Sequence, residues 1–300
     1  MRAHACSRRL SLQAPIITAA QDPGLAARVI ETFPLAGVTG GSALLSVGNR
    51  LLAVHDDAFR ATWIALPSMV LTPLLLQSDG APRPKHEKPD FESAVQTPDG
   101  VVHVLGSGAA PNRCAIARVD LRAGTVGVES RPDLYRCLQE ALAPGAVPNV
   151  EGAVIEGDRL LLFHRGIDTL SAIVELPVGA LYGAAARLLD ARLLDLGAIH
   201  GVRLAFTDAA RIARHLIAFT ATAEDTPDAI ADGPVVGSVI GLLDGAGQAR
   251  WTPLVDRDDR LFLAKVEGLA IDAGGSWILT DADDPGTPAQ LARVALRGFD

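Results

Sequence analysis

The chain has 300 residues, of which 49% are hydrophobic and 21% are charged, and its formal net charge at pH 7 is -8. This length and apolar content can bury a large core, and we expect a single domain spanning residues 1–300. The basic residues are scattered along an acidic chain, which argues against nucleic acid as a partner and favours a small-molecule ligand.

The sequence shows no segment typical of export or membrane insertion. Met1–Leu12 lacks the apolar run of a secretion signal, and no stretch has the roughly 18 uninterrupted apolar residues of a membrane helix. The cysteines, Cys6, Cys114 and Cys137, are odd in number and lack metal-ligand spacing, as is common for reduced thiols. We therefore expect a cytoplasmic protein that has no membrane partner.

A short phrase recurs along the chain, in which one polar residue introduces an apolar run. Lys265–Ile271 (KVEGLAI) is closely repeated by Asn149–Ile155 (NVEGAVI) and more loosely by Asp90–Gln96 (DFESAVQ). We interpret the polar residues, called marker residues below, as equivalent positions of five structural repeats. They are Ser42, Glu92, Glu151, Arg203 and Glu267.

Each repeat predicts three short antiparallel strands separated by two turns. Asp99-Gly100, for example, lies between two apolar runs and is a strong hairpin signal. Candidate fourth strands follow four of the repeats: Val70–Leu76, Gly124–Glu129, Ala191–Ile199 and Arg250–Val255. The last repeat has no such strand, and we expect the N-terminal run Leu10–Thr18 to supply it. The pattern therefore predicts an all-β fold, a β-propeller of five blades closed by an N-terminal strand, with six blades as the alternative.

Three stretches depart from the regular repeat. Arg131–Ala143 and Val178–Leu189 have the apolar spacing of surface helices. In the fourth repeat, we expect a polar connection between the strands Leu204–Thr207 and His215–Thr222.

The marker residues should meet at one mouth of the central channel, because the first strand of each blade lines that channel. Three of them are glutamates, whose close approach is unfavourable unless a positive group compensates their charge. A bound Ca²⁺ could compensate, since it prefers oxygen ligands. Bidentate pairing with Arg203 is the alternative, and it would leave a polar network that binds nothing.

The glutamate-led strands and the count of five blades resemble the calcium-activated nucleotidase (apyrase) family. Propellers of that family hold a Ca²⁺ in the channel through serine and glutamate oxygens. The resemblance implies that Ser42, Glu92, Glu151 and Glu267 are metal ligands, whereas Arg203 stands where that family needs an oxygen donor. The Val-Glu-Gly-Leu-Ala phrase also resembles bacterial propellers described as esterase-like phytases.

Polar loops follow the second strand of each blade and should open on the same face as the marker residues. Arginine offers donors to anions, histidine titrates near neutrality, and carboxylates can act as bases or bind a cation. We predict catalytic roles for Glu267, His164, Arg165, Asp281 and Asp283. We predict ligand contacts from Arg203, Asp56, Ser107 and Glu224.

Two classes of function remain open at this point. No Gly-x-Ser-x-Gly elbow, Walker loop or His-Glu-x-x-His helix is present in the sequence. The first class is a hydrolase that acts on a phosphorylated or ester-linked small molecule. The second is a propeller that binds a ligand or a protein without turnover.

Overall fold

Short β-strands make up most of the computed structural model, which describes residues 16–77, 79–142, 145–166, 170–225, 233–284 and 286–299. The chain begins with β1 (Ile17–Thr18), β2 (Ala20–Gln21) and β3 (Ala26–Pro34). These three strands do not pair with one another. Each pairs only with strands that come later in the sequence.

Three antiparallel sheets follow, and each has four consecutive strands of the chain. The first contains β4 (Gly41–Val47), β5 (Arg50–His55), β6 (Arg60–Ala65) and β7 (Val70–Leu75). The second contains β8 (Phe91–Gln96), β9 (Val101–Gly106), β10 (Ala115–Asp120) and β11 (Thr125–Ser130). The third contains β12 (Val150–Glu156), β13 (Arg159–His164), β14 (Ser171–Pro177) and β15 (Asp190–Asp195), and β1 extends it in parallel beside β15.

The rest of the chain forms one ten-stranded sheet. Its first part contains β16 (Ala198–Ile199), β17 (Val202–Ala213), β18 (Leu216–Glu224), β19 (Val235–Asp244) and β20 (Ala249–Val255). Its second part contains β21 (Lys265–Asp272), β22 (Gly275–Asp281) and β23 (Gln290–Arg297). β3 pairs antiparallel with β23 and parallel with β20, so it joins the two parts, and β2 pairs in parallel with β20.

The first strands of these units pack in cyclic order. β4 contacts β8, followed by β12, β17 and β21, and β21 returns to β4. Among the described residues, five clusters of buried apolar side chains fill the spaces between consecutive units. In one of them, Phe206 meets Phe163 and Phe219 edge to face, with ring centroids 5.1 and 5.2 Å apart. The fold is therefore all-β and propeller-like, with its core divided among the faces between sheets.

The N-terminal strand that extends the last unit is not the predicted one. That strand is β3, in which Ala27 and Val29 alternate inward and are buried beside β23. Ile17–Thr18, the described end of the predicted Leu10–Thr18, pairs instead with β15, and residues 10–15 lie outside the described ranges. Polar residues interrupt the alternation in the second half of β3, so the sequence pattern does not indicate this strand.

Two of the predicted interruptions also need correction. Helix α1 (Pro132–Ala141) forms and buries Leu134 and Leu138 between the second and third sheets. Over Val178–Leu189, however, only a short 3₁₀ helix (Val178–Tyr182) forms, and it ends at Gly183, whose φ is 85°. The expected polar connection in the fourth repeat is instead part of a long hairpin of β17 and β18.

No helix among the described residues has the length and apolar character needed to cross a bilayer.

Candidate functional site

The same irregularity occurs in the first strand of each unit. The register with the second strand shifts, and one residue is left unpaired in a β-bulge, which changes the direction of its side chain. The bulged residues are Ser42, Glu92, Glu151, Thr207 and Glu267. Four of the marker residues therefore occupy equivalent positions.

The fourth marker residue is Thr207, and the assignment of Arg203 to this position is wrong. Arg203 precedes Thr207 by four residues, which is about 13 Å along an extended strand. Its side chain is 52% exposed and lies 3.9 Å from the Asp195 carboxylate. The predicted pairing of Arg203 with the channel glutamates is therefore excluded.

Glu92, Glu151 and Glu267 form a compact group, called the glutamate triad below. Each offers one carboxylate oxygen, and these three oxygens lie within 4.8 Å of one another. Glu267 is only 4% exposed; its Oε1 lies 3.1 Å from the Lys265 ammonium, and its Oε2 accepts no hydrogen bond from the described residues. A buried carboxylate oxygen without a donor is costly, so Oε2 has the character of an unfilled ligand position.

Two basic side chains lie against the triad. Arg165 contacts Glu224 at 2.7 Å and Glu151 at 3.6 Å, both N–O distances. The Lys265 ammonium lies 3.1 Å from Glu267 and 3.1 Å from Asp283. The arginine that contacts the acidic cluster is thus Arg165, which comes from the loop after β13, and not the predicted Arg203.

A second acidic group adjoins the triad and shares Glu92 with it. Ligand oxygens of Asp56, Asp90 and Glu92 also lie within 4.8 Å of one another. Here the Lys88 ammonium forms an ion pair with Asp90 at 2.9 Å and hydrogen-bonds to Asp56. Arg113 contacts Asp90 from the other side at 2.8 Å.

The electrostatics of both groups are those of crowded, buried carboxylates. Burial raises the pKa of Glu151 to about 8 and, together with the charges of Asp90 and Glu151, raises the pKa of Glu92 well above its usual range. Burial and the neighbouring Asp283 raise the pKa of Asp281 to about 8. These carboxylates bind protons readily unless another positive charge approaches them.

His164 is enclosed and does not face the triad directly. Burial lowers the pKa of its imidazole to about 4, so the ring is neutral at pH 7. Its Nδ1 lies 3.1 Å from the main-chain N–H of Asn149, and the Asn149 side chain donates to Glu151 at 2.8 Å. This arrangement suits the positioning of Glu151 better than a general acid that titrates near neutrality.

The other predicted polar residues lie around the same mouth. The Ser42 hydroxyl donates to the main-chain carbonyl of Phe91 and so links the first and second units. Ser107 donates to Asp90, and Asp281 accepts the main-chain N–H of Asp283 at 3.1 Å. Ser42 and Ser107 are therefore engaged in contacts within the protein.

Asp208 is a channel residue that the sequence interpretation missed. Its fully enclosed carboxylate accepts the main-chain N–H groups of Leu269 and Ala209, each at 2.7 Å, and approaches that of Leu44 at 3.4 Å. Burial nevertheless raises the pKa of Asp208 well above its usual range. Asp208 thus links β4, β17 and β21, which are the first strands of the first, fourth and fifth units.

The positions equivalent to Asp208 hold small residues, and two of them lie close to the main chain of a neighbouring unit. The position after each bulge is Ala43, Ser93, Gly152, Asp208 or Gly268. A Cβ atom on Gly268 would lie 2.8 Å from the Leu44 nitrogen, and one on Gly152 would lie 2.9 Å from the Ala209 nitrogen. One acidic side chain among four small ones was the available sequence signal.

A cavity of about 410 Å³ opens beside the triad. Its polar wall includes Lys265, Asp281 and Asp283, and Leu263 and Pro288 contribute apolar surface. Lys265 connects the cavity with the triad, since the Lys265 ammonium contacts Glu267. The cavity can therefore hold a small molecule next to the glutamates.

Comparison with known proteins supports the fold and identifies the family. No curated protein is significantly similar to this chain. Glutaminyl cyclase from Myxococcus xanthus aligns over 95% of this chain and 100% of its own, with a TM-score of 0.52 at 11% identity. The PQQ-bound aldose sugar dehydrogenase from Streptomyces coelicolor aligns over 93% of this chain and 100% of its own, with a TM-score of 0.47 at 14% identity. At 11% identity, the likeness to the cyclase concerns the fold alone. A model of the family of unknown function DUF6929 matches residues 37–296, and the chain therefore belongs to that family.

Proposed function

We propose that the chain is a single five-bladed propeller domain with a divalent-cation site at the mouth of its channel. Cyclic packing of the five first strands supports this architecture, as do five equivalent bulges. In this proposal the ten-stranded sheet comprises two blades, and β3 closes the ring as the outer strand of the last blade.

The cation is held by the glutamate triad, and the observation that carries this assignment is the convergence of three carboxylates, one of which has an unsatisfied oxygen. Ligand oxygens of Glu92, Glu151 and Glu267 lie within 4.8 Å of one another, and Oε2 of Glu267 accepts no hydrogen bond from the described residues. Hard carboxylate oxygens are the ligands that Ca²⁺ prefers, so the donor set fits this ion. Arg165 and Lys265 each bring one positive charge, and each also contacts a carboxylate outside the triad. They therefore leave the triad incompletely neutralised.

The activity we propose is hydrolysis of a phosphorylated or ester-linked small molecule bound in the adjoining cavity. When bound, Ca²⁺ would supply a positive charge that polarises the substrate oxygen. Asp281 lines the cavity, and burial, the largest cause of its raised pKa, favours the protonated carboxyl that a proton donor to a leaving group requires. Lys265 holds Glu267 and Asp283 at a fixed separation between the triad and the cavity.

A hydrolysis screen with two variants tests this activity. Purified protein is assayed on phosphomonoester, phosphodiester and carboxylic ester substrates with CaCl₂ and with chelator. We expect Ca²⁺-dependent turnover that is lost in Glu267→Gln and reduced at least about tenfold in Asp281→Asn, in keeping with a general acid. Glu129→Gln, at a 55% exposed carboxylate on β11, is the control and keeps full activity. Turnover that persists in Glu267→Gln contradicts the proposal.

Non-catalytic ligand binding is the second candidate. It is favoured by the direct ion pairs of Arg165 and Lys265, which give the mouth a partly self-compensated charge network. In that case, the cavity binds a polar metabolite without converting it. Ca²⁺ binding in the absence of any turnover across the substrate screen would support this second function over the first.

A further inference from the structure

The second acidic group contains a lysine side chain at the place where a metal ion would lie. Asp56, Asp90 and Glu92 offer oxygens within 4.8 Å of one another, in the same manner as the triad. The Lys88 ammonium contacts Asp90 at 2.9 Å and Asp56 at hydrogen-bond distance. The charge of Glu92 acts on it as well.

The Lys88 ammonium is enclosed, unlike that of a lysine in a surface ion pair. Its side chain is 16% exposed, and those of its partners Asp56 and Asp90 are 15% and 6% exposed. An ammonium in this setting gives up most of its hydration, which is favourable only where several carboxylates replace the lost water. The group thus selects a compact positive charge, and lysine provides one.

The loop that carries Lys88 is fixed from both sides. The Asn112 side chain donates to the main-chain carbonyl of Lys88 at 3.0 Å, and Arg113 donates to that of Lys85 at 3.0 Å. The main-chain N–H of Arg83 donates to Asp57 at 2.7 Å. These contacts fix the main chain from which the Lys88 side chain extends.

We propose that Lys88 is a built-in cation that occupies the second of two adjoining acidic positions. It neutralises Asp56, Asp90 and the near side of Glu92, and it leaves the triad as the single position open to a divalent ion. The inference rests on the proposed function for the triad ion, whereas the occupancy of the second group by Lys88 is independent of it.

The stoichiometry of Ca²⁺ binding tests this inference. Calorimetric titration with CaCl₂ is carried out on the wild type, Lys88→Met and Lys88→Arg. We expect about one ion per chain for the wild type and Lys88→Arg, and about two for Lys88→Met, because loss of the ammonium leaves the clustered oxygens of Asp56, Asp90 and Glu92 to form a second site. Lys85→Met, the same charge change at an exposed position of the same loop, is the matched control and binds about one ion.

The possible outcomes separate the two proposals. If the wild type binds no ion but Lys88→Met binds one, the triad site is refuted and the role of Lys88 stands. If Lys88→Met binds the same number of ions as the wild type, the role of Lys88 is overturned. If Lys88→Met is too unstable to titrate without metal, its melting temperature is measured in chelator and in CaCl₂. Recovery that is greater than in Lys88→Arg supports the inference, and equal responses overturn it.

Discussion

Replacement of Arg165 by methionine gives the sharpest prediction about the energetics of the channel mouth. The side chain of Arg165 is 11% exposed, and its partners Glu224 and Glu151 are 5% and 3% exposed. Removal of one partner from a buried charge cluster costs about 3–5 kcal/mol, because it leaves carboxylates without compensation. For 300 residues, an unfolding entropy of about 2.1 cal/mol/K per residue converts this loss into a melting temperature lower by about 5–8 °C.

Calcium should restore much of the stability lost in Arg165→Met. A bound divalent ion supplies the positive charge that the variant lacks, so its melting temperature rises more with CaCl₂ than that of the wild type. For comparison, a ligand at 100 times its Kd stabilises a protein by about 2.7 kcal/mol. Differential scanning calorimetry in chelator and in CaCl₂ measures both quantities.

A second ion pair, whose arginine is more exposed, provides the control for this experiment. Arg159 contacts Glu175 at 2.7 Å but is 38% exposed, and Glu175 also pairs with Arg192. Arg159→Met should therefore lose less stability and show no extra response to calcium. The reasoning is refuted if Arg165→Met loses less than about 1 kcal/mol, the value typical of an exposed pair, or if calcium raises both variants equally.

Two further predictions concern buried groups of the propeller core. His103 is fully buried, neither ring nitrogen has a hydrogen-bond partner among the described residues, and burial lowers the pKa of its imidazole to about 4. In the unfolded chain His103 binds a proton below about pH 6.5, whereas in the folded chain it does so only below about pH 4. The free energy of unfolding therefore decreases as the pH is lowered from about 6.5 to about 4. His103→Leu should remove up to about 2.5 kcal/mol of the stability loss between pH 7 and 4.5 in urea titrations, whereas the exposed His86→Leu should not. Gly268→Ala should destabilise the protein by about 1–3 kcal/mol in the same assay, because its Cβ would lie 2.8 Å from the Leu44 nitrogen; unchanged stability would contradict this close approach.

The recurring phrase located most of the channel because it combines a local signal with a structural requirement. An apolar run led by a polar residue predicts a buried strand whose first side chain differs from the rest, and Glu92, Glu151 and Glu267 follow this pattern. The bulged residue of the fourth repeat could not be predicted in the same way, because Thr207 is small and neutral. The charge of Arg203 indicated the wrong position, because β17 begins further ahead of its bulged residue than the other first strands do.

The partners of the glutamates could not be obtained from local patterns. Lys88 and Asp56 are 32 residues apart, and Arg165 and Glu224 are 59 residues apart. Such pairs depend on how neighbouring units pack, which no repeat of the sequence reports. The outer strands β7, β11 and β20 were easier to predict, since each is a short apolar run that follows a turn. The outer strand β3 was harder to predict, because it joins the last unit from the other end of the chain.

Calorimetric titration of the wild type and Glu267→Gln with CaCl₂ tests the cation site most directly. The substitution keeps the size of the side chain and removes the charge of a buried carboxylate, whose Oε2 accepts no hydrogen bond from the described residues. We predict that the wild type binds about one ion per chain and that Glu267→Gln binds it at least about tenfold more weakly, since one charged oxygen ligand is lost. A wild type that binds no calcium, or a variant that binds it with unchanged affinity, would contradict the assignment of the glutamate triad.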